Sequence, residues 1–326
     1  MTFDSRLIAL LADGAFHSGE ELGERLGVSR AAIWKQLQKL QEATGLIFES
    51  IRGRGYRLQG GVELLDRQAI LAAIVSDAKS LLTSIDLYGQ VDSTNRLAME
   101  AAQSGAARGT VILAEQQLAG RGRRGRNWVS PFGCNIYCSV VWEFNNGAAA
   151  LEGLSLAVGV AVAKALGDIG VADLELKWPN DVVWRGRKLA GILLEMTGDA
   201  AGRCQVIVGI GINVAMPAAL ATAVDQPWCD VSTAAEKSVS RNQLIGYLLA
   251  RLLPLLAEFE RSGFVAFQGE WAAFDRMLGH EVVVHFGEQM VFGTAAGVGE
   301  NGALAVDTEI GRQWFHGGEV SLRLQR

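Results

Sequence analysis

Two short helical segments followed by a basic hairpin occupy residues 18–58, and few folds accommodate that order of elements. Ser18 stands three residues before Glu21, which is the spacing of a capping box at a helix N-terminus. Leucines four residues apart then share one helical face, until Gly27 interrupts the pattern. Ser29 restarts the pattern as the cap of a second helix. The segment therefore predicts two helices joined by a tight turn.

The second helix has one apolar face and one polar, basic face. Ile33, Leu37 and Leu40 recur at helical spacing and are predicted to face inward. The residues that then point outward are Ser29, Arg30, Trp34, Lys35, Gln38 and Lys39. This arrangement is typical of a helix-turn-helix whose second helix reads DNA. The alternative is a small helical domain with an ordinary solvated face.

A wing is predicted directly after these helices. "LIFESIRGRGYRL" is a strand, a Gly-Arg-Gly tip and a return strand, with Arg52, Arg54 and Arg57 around the bend. Such a hairpin can touch backbone phosphates beside the major groove. The whole chain has a net charge of −5, yet residues 1–60 carry a slight basic excess. A polyanionic partner is therefore expected at the N-terminal end, and Gly60-Gly61 is predicted to be a flexible joint after it.

Strands and helices intermix between about residues 65 and 270. The segments predicted as strands are 110–116, 135–144, 174–184, 188–196 and 204–214, and the longest predicted helices lie at 150–170 and 241–263. Tight turns such as residues 185–187 join several strands, which indicates a mixed or largely antiparallel sheet. The last fifty residues alternate as short strands around Gly-rich turns. The fold class predicted is α+β.

The composition excludes several classes of protein. The four cysteines are too few and too scattered for a disulfide framework, so we expect buried, reduced thiols. The first residues lack the pattern of a signal peptide. The longest uncharged apolar run, "LSLAVGVAVA", is about half a membrane span. These features predict a cytoplasmic protein without a membrane partner.

The segment Gly120–Gly133, "GRGRRGRNWVSPFG", begins with four arginines and three glycines in seven residues. It formally satisfies G-x-G-x-x-G, but no apolar helix follows, so a dinucleotide fold is not indicated. The arginines repel one another by about 1 kcal/mol per pair in water. The loop is therefore expected to be disordered when empty and to order on an anion, with Trp128 offering its face to a purine. The alternative is a non-specific basic surface loop.

Three further polar clusters are candidates for a functional role. "VDSTN" at residues 91–95 is either a helix cap or a set of hydrogen-bonding groups for a small polar ligand. "KWPND" at residues 177–181 is either a plain turn or a turn that presents Asn180 and Asp181. Lys188 follows a predicted hairpin tip, where a lysine is usually a solvated edge residue.

The combination of these motifs resembles the family of bifunctional biotin–protein ligases and biotin operon repressors. The resemblance is carried by "STN", "QQLAGRGRRGRNWVSPFG", "KWPNDVVWRGRKLAGILLE" and "GIGINV", in this order behind the winged head, and runs from "HSGEELGERLGVSRAAI" to the closing "GGEVSLR". It implies a winged helix-turn-helix domain at residues 1–62, a catalytic domain at 63–273 and an SH3-like β-barrel at 274–326. It also implies that biotin and ATP form biotinyl-5′-AMP, and that the biotin passes to a lysine of the biotin carboxyl carrier protein.

The resemblance further assigns roles to individual residues. Biotin would contact Ser93, Thr94, Asn95, Gln117, Arg121, Gly122, Arg123, Lys188 and Gly191. ATP would contact Arg121, Arg123, Trp128, Lys177, Asn180, Asp181, Lys188 and Asn213, and Mg²⁺ would accompany it. Lys188, Arg121 and Arg123 would be catalytic. The adenylate-bound chain would form a homodimer whose two heads bind a two-fold operator.

Three rival functions remain at this stage. A ligand-sensing transcription factor without chemistry is disfavoured by the intact arginine loop and Lys188. A lipoate ligase would have a related fold and the same adenylation logic, but the "GRGRRGR" loop and the winged head favour biotin. An RNA-binding protein that uses the arginine loop conflicts with the acidic balance of the rest of the chain.

Overall fold

A computed structural model describes residues 5–75, 77–145, 147, 151–198, 202–217, 224, 226–286, 289–317 and 320–324. Three parts follow one another: a helical head with a two-stranded hairpin, a seven-stranded sheet with helices, and a five-stranded sheet. The α+β class expected from the sequence is confirmed. Within the described ranges no helix is both long and apolar enough to cross a membrane.

The head contains the predicted helices and wing. Its elements are α1 (Ser5–Leu11), α2 (Gly19–Leu26), α3 (Arg30–Thr44), β1 (Phe48–Ile51) and β2 (Gly55–Leu58). The Ser18 hydroxyl accepts a hydrogen bond from the Glu21 amide at 3.0 Å. The Ser29 hydroxyl accepts one from the Ala32 amide at 3.2 Å. Gly27 ends α2 at φ 70°, which is a left-handed conformation that favours glycine.

The core of the head is completed by a side chain from outside it. Its buried residues are Leu7, Ile8, Leu11, Leu22, Ile33, Leu37, Leu40, Tyr56 and Leu58, together with Phe132. Phe132 is 2% exposed and lies at the end of the arginine-rich segment. Val62 packs against the same cluster, and a Cβ on Gly133 would stand 2.5 Å from its side chain. The head is therefore packed directly on the central part.

A buried polar cluster fixes the segment that follows the predicted flexible joint. Arg241 is 3% exposed, and its Nη2 lies 2.8 Å from Glu115 Oε2. The other Glu115 oxygen accepts a hydrogen bond from the Leu65 amide at 2.6 Å. The Glu63 carboxylate accepts one from the Arg241 amide, also at 2.6 Å. Breaking a buried pair of this kind typically costs about 3–5 kcal/mol, so residues 63–65 are held firmly against the central part.

The central part is a mixed sheet. Its helices are α4 (Arg67–Ala73), α5 (Thr94–Gln103), α6 (Leu154–Asp168), α7 (Val231–Ala234), α8 (Arg241–Ser262) and α9 (Val265–Phe274). Its strands are β3 (Ser84–Tyr88), β4 (Thr110–Ala114), β5 (Ile136–Phe144), β6 (Leu174–Lys177), β7 (Asp181–Trp184), β8 (Arg187–Gly198) and β9 (Cys204–Ile212). The order is β3-β4-β5-β9-β8-β7-β6; β3 and β4 are parallel and the other neighbours antiparallel. The segment 174–184 is not one continuous strand: the turn predicted at residues 177–181 divides it into β6 and β7.

The two faces of this sheet pack against different helices. Because side chains alternate along a strand, Val140 and Trp142 on β5 point into the main core, which includes α6 and α8. Val141 points to the opposite face, where Ala98 of α5 packs. Ser139 is on that second face and is fully buried. Ser139 lies there beside two polar residues at the N-terminus of α5, Thr94 and Asn95.

The C-terminal part is an antiparallel sheet. Its strands are β10 (Glu281–Phe286), β11 (Gln289–Val298), β12 (Leu304–Thr308), β13 (Gly311–Phe315) and β14 (Val320–Leu324), in the order β13-β12-β11-β10-β14. Trp178, in the turn between β6 and β7, donates its indole N–H to the Gly302 carbonyl at 3.1 Å. Arg276 forms an ion pair with Glu175 on β6. Both contacts attach this sheet beside the turn of the "KWPND" motif.

Candidate functional site

Glycines on β8 and β9 form the floor of the site. Gly209 and Gly211 lie two residues apart on one face, and Gly191 pairs with Gly211 across the strands. A Cβ on Gly209 would stand 2.1 Å from Asn95 Oδ1. A Cβ on Gly211 would stand 2.5 Å from the indole of Trp128. Glycine is therefore required for Asn95 and Trp128 to lie against the sheet.

A buried chain of hydrogen bonds runs from the floor to the arginine loop. Ser139 Oγ lies 2.6 Å from Asn95 Oδ1 and 2.8 Å from Thr94 Oγ1. The Thr94 amide and hydroxyl both donate to Gln117 Oε1, at 2.9 and 3.1 Å. Gln117 Nε2 donates to Ser130 Oγ at 3.1 Å. The "STN" residues are thus joined to the segment that carries Trp128.

The "VDSTN" segment begins a helix without acting as an ordinary cap. Ser93 occupies the N-cap position of α5, but its side chain makes no capping hydrogen bond. Ser93, Thr94 and Asn95 are all buried and line a cavity. Their polar atoms are therefore placed around that cavity, which favours the ligand interpretation of the motif.

The arginine loop folds back over the floor. Arg121 forms an isolated bridge with Asn127, and Arg123–Gly125 makes a single 3-10 turn. Arg123 Nη1 donates to Asn180 Oδ1 at 3.1 Å, and Arg123 Nη2 donates to the Gly317 carbonyl. Burial lowers the pKa of Arg123, and the charge of Asp181 opposes that shift. The loop brings positive charge to the mouth of the cavity.

Lys188 is not a solvated edge residue. Its side chain is 15% exposed, and its Nζ lies 2.7 Å from Asp181 Oδ1. The same Nζ lies 5.3 Å from the ring centroid of Trp128, within the range of a cation–π contact. Asn180 is fixed beside it, because its Nδ2 donates to the Ile192 carbonyl at 2.9 Å. The "KWPND" turn thus presents both Asn180 and Asp181 to the site.

Two cavities meet at these residues. The inner one, about 470 Å³ including its open mouth, is lined by every residue that the family resemblance assigned to biotin: Ser93, Thr94, Asn95, Gln117, Arg121, Gly122, Arg123, Lys188 and Gly191. The outer cleft, about 2470 Å³ on the same basis, is lined by Arg123, Trp128, Lys177, Asn180, Asp181, Lys188 and Asn213. Of the residues assigned to ATP, Arg121 alone lines only the inner cavity.

The outer cleft is strongly basic. Arg276 and Arg323, which sequence reasoning did not single out, line it together with Lys177. Burial lowers the pKa of Lys177, and Asp181 opposes that shift. Asn213 has a supporting position, because its Nδ2 donates to the carbonyls of Lys188 and Cys229 at 3.4 and 3.3 Å.

Sequence reasoning also missed Ser139, Ser130 and Glu195. A small polar residue inside the apolar run "NIYCSVVW" was the available signal for Ser139. Glu195 offered a weaker signal, as an acid at the end of "KLAGILLE". Their roles depend on partners distant in the chain, which no local pattern reveals.

The polar face of α3 is open to solvent. Ser29, Arg30, Trp34, Lys35, Gln38 and Lys39 are all exposed, as are Arg52 and Arg54 on the wing. Arg54 lies 4.1 Å above the ring of Phe16. Arg57, which the sequence placed around the same bend, is half-buried and paired with Glu49 at 2.8 Å. The accessible charge of the wing is therefore at its tip.

Comparison with known proteins decides the family. The model of an HTH domain matches residues 5–57, that of the biotin/lipoate A/B protein ligase family residues 87–213, and that of the biotin protein ligase C terminal domain residues 277–323. The bifunctional ligase/repressor BirA of Escherichia coli is 39% identical over 99% of this chain and 98% of its own length. This chain belongs to the bifunctional biotin–protein ligase/repressor family.

Other relatives agree with this membership. The biotin--[acetyl-CoA-carboxylase] ligase of Paracoccus denitrificans is 35% identical over 72% of this chain and 98% of its own length. The biotin protein ligase of Aquifex aeolicus, solved in complex with biotin and ATP, matches with a TM-score of 0.65 and 31% identity, covering 75% of this chain and all of its own. As a member of the ligase/repressor family, this chain carries the winged head in addition to the ligase part.

Proposed function

We propose that this protein joins biotin to ATP as biotinyl-5′-AMP, with release of diphosphate, and then transfers biotin to a lysine of the biotin carboxyl carrier protein. The observation that carries this proposal is the junction of the two cavities. The inner, hydrogen-bonding cavity suits a small polar head group, and the basic outer cleft suits a nucleotide. Lys188 and Arg123 line both, at the place where a carboxylate would meet an α-phosphate.

In this proposal the inner cavity orients biotin. Ser93, Thr94 and Gln117 offer hydroxyl and amide groups to its ureido ring, with Gly122 and Gly191 leaving room for the bicycle. Asn95 has a different part, since its side chain is already bonded to Ser139, Leu193 and Glu195. It shapes the cavity wall and holds the start of α5 in place.

The chemistry is chiefly charge neutralisation and positioning. A carboxylate and an α-phosphate are both negative, so their approach requires cations that are already in place. Arg121, Arg123 and Lys188 supply them, and each charge-assisted hydrogen bond contributes about 1.5–3 kcal/mol. Asp181 holds the Lys188 ammonium at the junction until the anions arrive. Transfer to a lysine amine then needs no covalent enzyme intermediate.

The nucleotide would bring Mg²⁺ with it. Among the described residues no group of three His, Cys, Asp or Glu side chains could hold a metal ion. Asp181 is the only carboxylate that lines the described part of the outer cleft. Magnesium is commonly held by one or two carboxylates and by substrate phosphates. Asp181 fits that requirement, and the ion would screen the phosphate charge.

The direct test is mass spectrometry of the protein after incubation with biotin, ATP and Mg²⁺. We expect bound biotinyl-5′-AMP with the wild type and almost none with Lys188→Ala. Lys164→Ala is the matched control. Lys164 lies on α6, lines neither cavity, and is also ion-paired, with Glu270 of α9. Equal adenylate in the wild type and Lys188→Ala would refute the role of Lys188, and its absence from both would refute the activity.

The second activity is transcriptional repression. Exposed α3 and the tip of the wing favour operator binding, with base contacts from the helix and phosphate contacts from Arg52 and Arg54. In this proposal retained adenylate promotes a homodimer that binds a two-fold operator. Sedimentation with and without adenylate tests the dimer, and a monomer under both conditions would refute it.

A further inference from the structure

Trp34 places a large aromatic side chain on the polar face of α3. It is 48% exposed, whereas its neighbours Ile33 and Leu37 are buried in the core of the head. The core therefore uses the opposite side of the helix and leaves about half of the Trp34 side chain in solvent. A single exposed apolar residue is ordinary at a protein surface. The position of this one within α3 is what gives it a function.

Trp34 lies in one row with two polar side chains. Arg30, Trp34 and Gln38 are spaced four residues apart, so they follow one another along the same side of α3, about 6 Å apart along its axis. All three are exposed. Base pairs stack about 3.4 Å apart, so neighbours in the row stand about two base-pair steps apart along a groove. Trp34 is the fifth residue of α3, in the N-terminal part of the helix that contacts base edges in a helix-turn-helix.

We propose that Trp34 is a specificity-determining residue that reads the C5-methyl group of a thymine in the major groove. The inference rests on the proposed function, in which the exposed face of α3 binds operator DNA. An indole has one N–H donor and no acceptor, and the rest of its ring is apolar. The base edges in the major groove present donors and acceptors, and thymine alone adds an apolar methyl group. That methyl is therefore the one complement in the groove to the face of the indole.

The charges around Trp34 favour DNA as the partner of this face. Lys35 and Lys39 are exposed on the same helix, and Arg52 and Arg54 are exposed on the wing. Cations of this kind bind the phosphate backbone and fix the position of the helix, but they carry no sequence information. Trp34 is uncharged and adds nothing to that attraction. Its contribution is confined to the choice of base.

Replacement of thymine by uracil removes only the C5-methyl group, so it tests this contact alone. The probe is a duplex selected from a random library by the full-length protein loaded with synthetic biotinyl-5′-AMP. Each thymine is replaced in turn by deoxyuridine, and affinity is measured by fluorescence anisotropy at low salt, where phosphate contacts keep weakened variants bound. In the wild type we expect one replacement per half-site to weaken binding roughly fourfold, which is the value of one buried methylene-sized group.

Variants assign that loss to the indole. In Trp34→Ala the same replacement should have no effect, while base changes elsewhere in the site keep their wild-type cost. Trp34→Phe retains an apolar ring and should retain part of the loss. Trp314→Ala is the matched control, because Trp314 is 51% exposed but lies on β13 of the C-terminal sheet. It should behave as the wild type. The slope of log affinity against log salt should be equal in Trp34→Ala and the wild type, because no charge is lost.

Three results would overturn the inference. The first is a wild type for which no thymine of the selected duplex is sensitive to loss of its methyl group. The second is a sensitive thymine that remains equally sensitive in Trp34→Ala. The third is loss of adenylate-dependent dimerisation by Trp34→Ala in sedimentation, which would place the ring against a second copy of the chain. The first two leave operator binding intact, whereas a wild type that selects no duplex would refute the repressor function itself and this inference with it.

Discussion

Removal of the Phe132 side chain should unfold the head while leaving the ligase part folded. Phe132 is 2% exposed and lies in the head's core, although it belongs to the segment after the arginine loop. Truncation of a buried Phe to Ala typically costs about 3–5 kcal/mol. A domain of this size rarely has more than about 3–5 kcal/mol of its own stability. The loss therefore equals most of what keeps the head folded.

Hydrogen exchange with mass spectrometry is the assay. In Phe132→Ala we expect the amides of α1 and α3 to exchange much faster, while those of β5 and β9 keep their protection. Phe144→Ala is the contrasting variant, because Phe144 is equally buried in the main core and packs against Phe259. It should raise exchange in the central sheet first. DNA affinity should fall sharply in Phe132→Ala, and adenylate formation should persist.

The reasoning fails if Phe132→Ala leaves the protection of α3 at the wild-type level. The head would then fold without the central part, and the contact would be incidental. It also fails if β5 and α3 lose protection together at equal rates, because the head and the ligase part would then unfold as one unit. In Phe132→Leu the exchange rates of α1 and α3 should lie between those of the wild type and Phe132→Ala, since leucine retains most of the buried volume.

Three further outcomes are expected. Gly209→Ala should lower biotin affinity at least tenfold, because the new Cβ would stand 2.1 Å from Asn95 Oδ1 and displace that side chain. Gly269→Ala is the control, since nothing lies within 4 Å of a Cβ there, and it should leave the biotin affinity measured by calorimetry unchanged. Burial lowers the pKa of Lys177 below the ordinary 10.5, so its ammonium loses the proton at a lower pH than an exposed lysine would. ATP affinity should therefore fall as the pH rises towards 10.5. Lys177→Arg should remove this alkaline loss, as measured by the KM for ATP in a pH series. Arg54→Ala should weaken binding to all DNA sequences and reduce the magnitude of the salt slope by about one, as measured by fluorescence anisotropy.

Elements with local signals could be predicted from the sequence. Caps at Ser18 and Ser29 depend on amides three residues away, so the head's helices followed from short patterns. The arginine loop stood out because dense charge beside glycine is unusual, whereas Lys188 received its role only from the family resemblance. The turn at residues 177–181 was also predicted, because Pro179 and Asn180 mark it locally, although the run 174–184 around it reads as one apolar strand.

Long-range partners explain what could not be predicted. Glu195 meets Asn95 across 100 residues of sequence, and Arg241 meets Glu115 across 126. Gly209 looks like an ordinary strand glycine until Asn95 is placed above it. Phe132 gives no local signal of its position, because a single aromatic residue has no periodicity by which to assign it to another domain's core. These contacts exist only once the topology has brought the segments together.

The segment from Trp128 to Asn135 contacts both the inner cavity and the core of the head. Its Ser130 accepts from Gln117, which lines the inner cavity, and two residues later Phe132 fills the head's core. The carbonyl of Asn135 then accepts from Arg241 at 3.2 Å, in the cluster that holds the linker. A ligand that bonds Gln117 therefore acts on a residue that is itself bonded to Ser130, and Ser130 is two residues from a side chain buried in the head's core. We therefore expect ligand binding in the cavity to affect the head through this one short stretch of backbone, which both parts share.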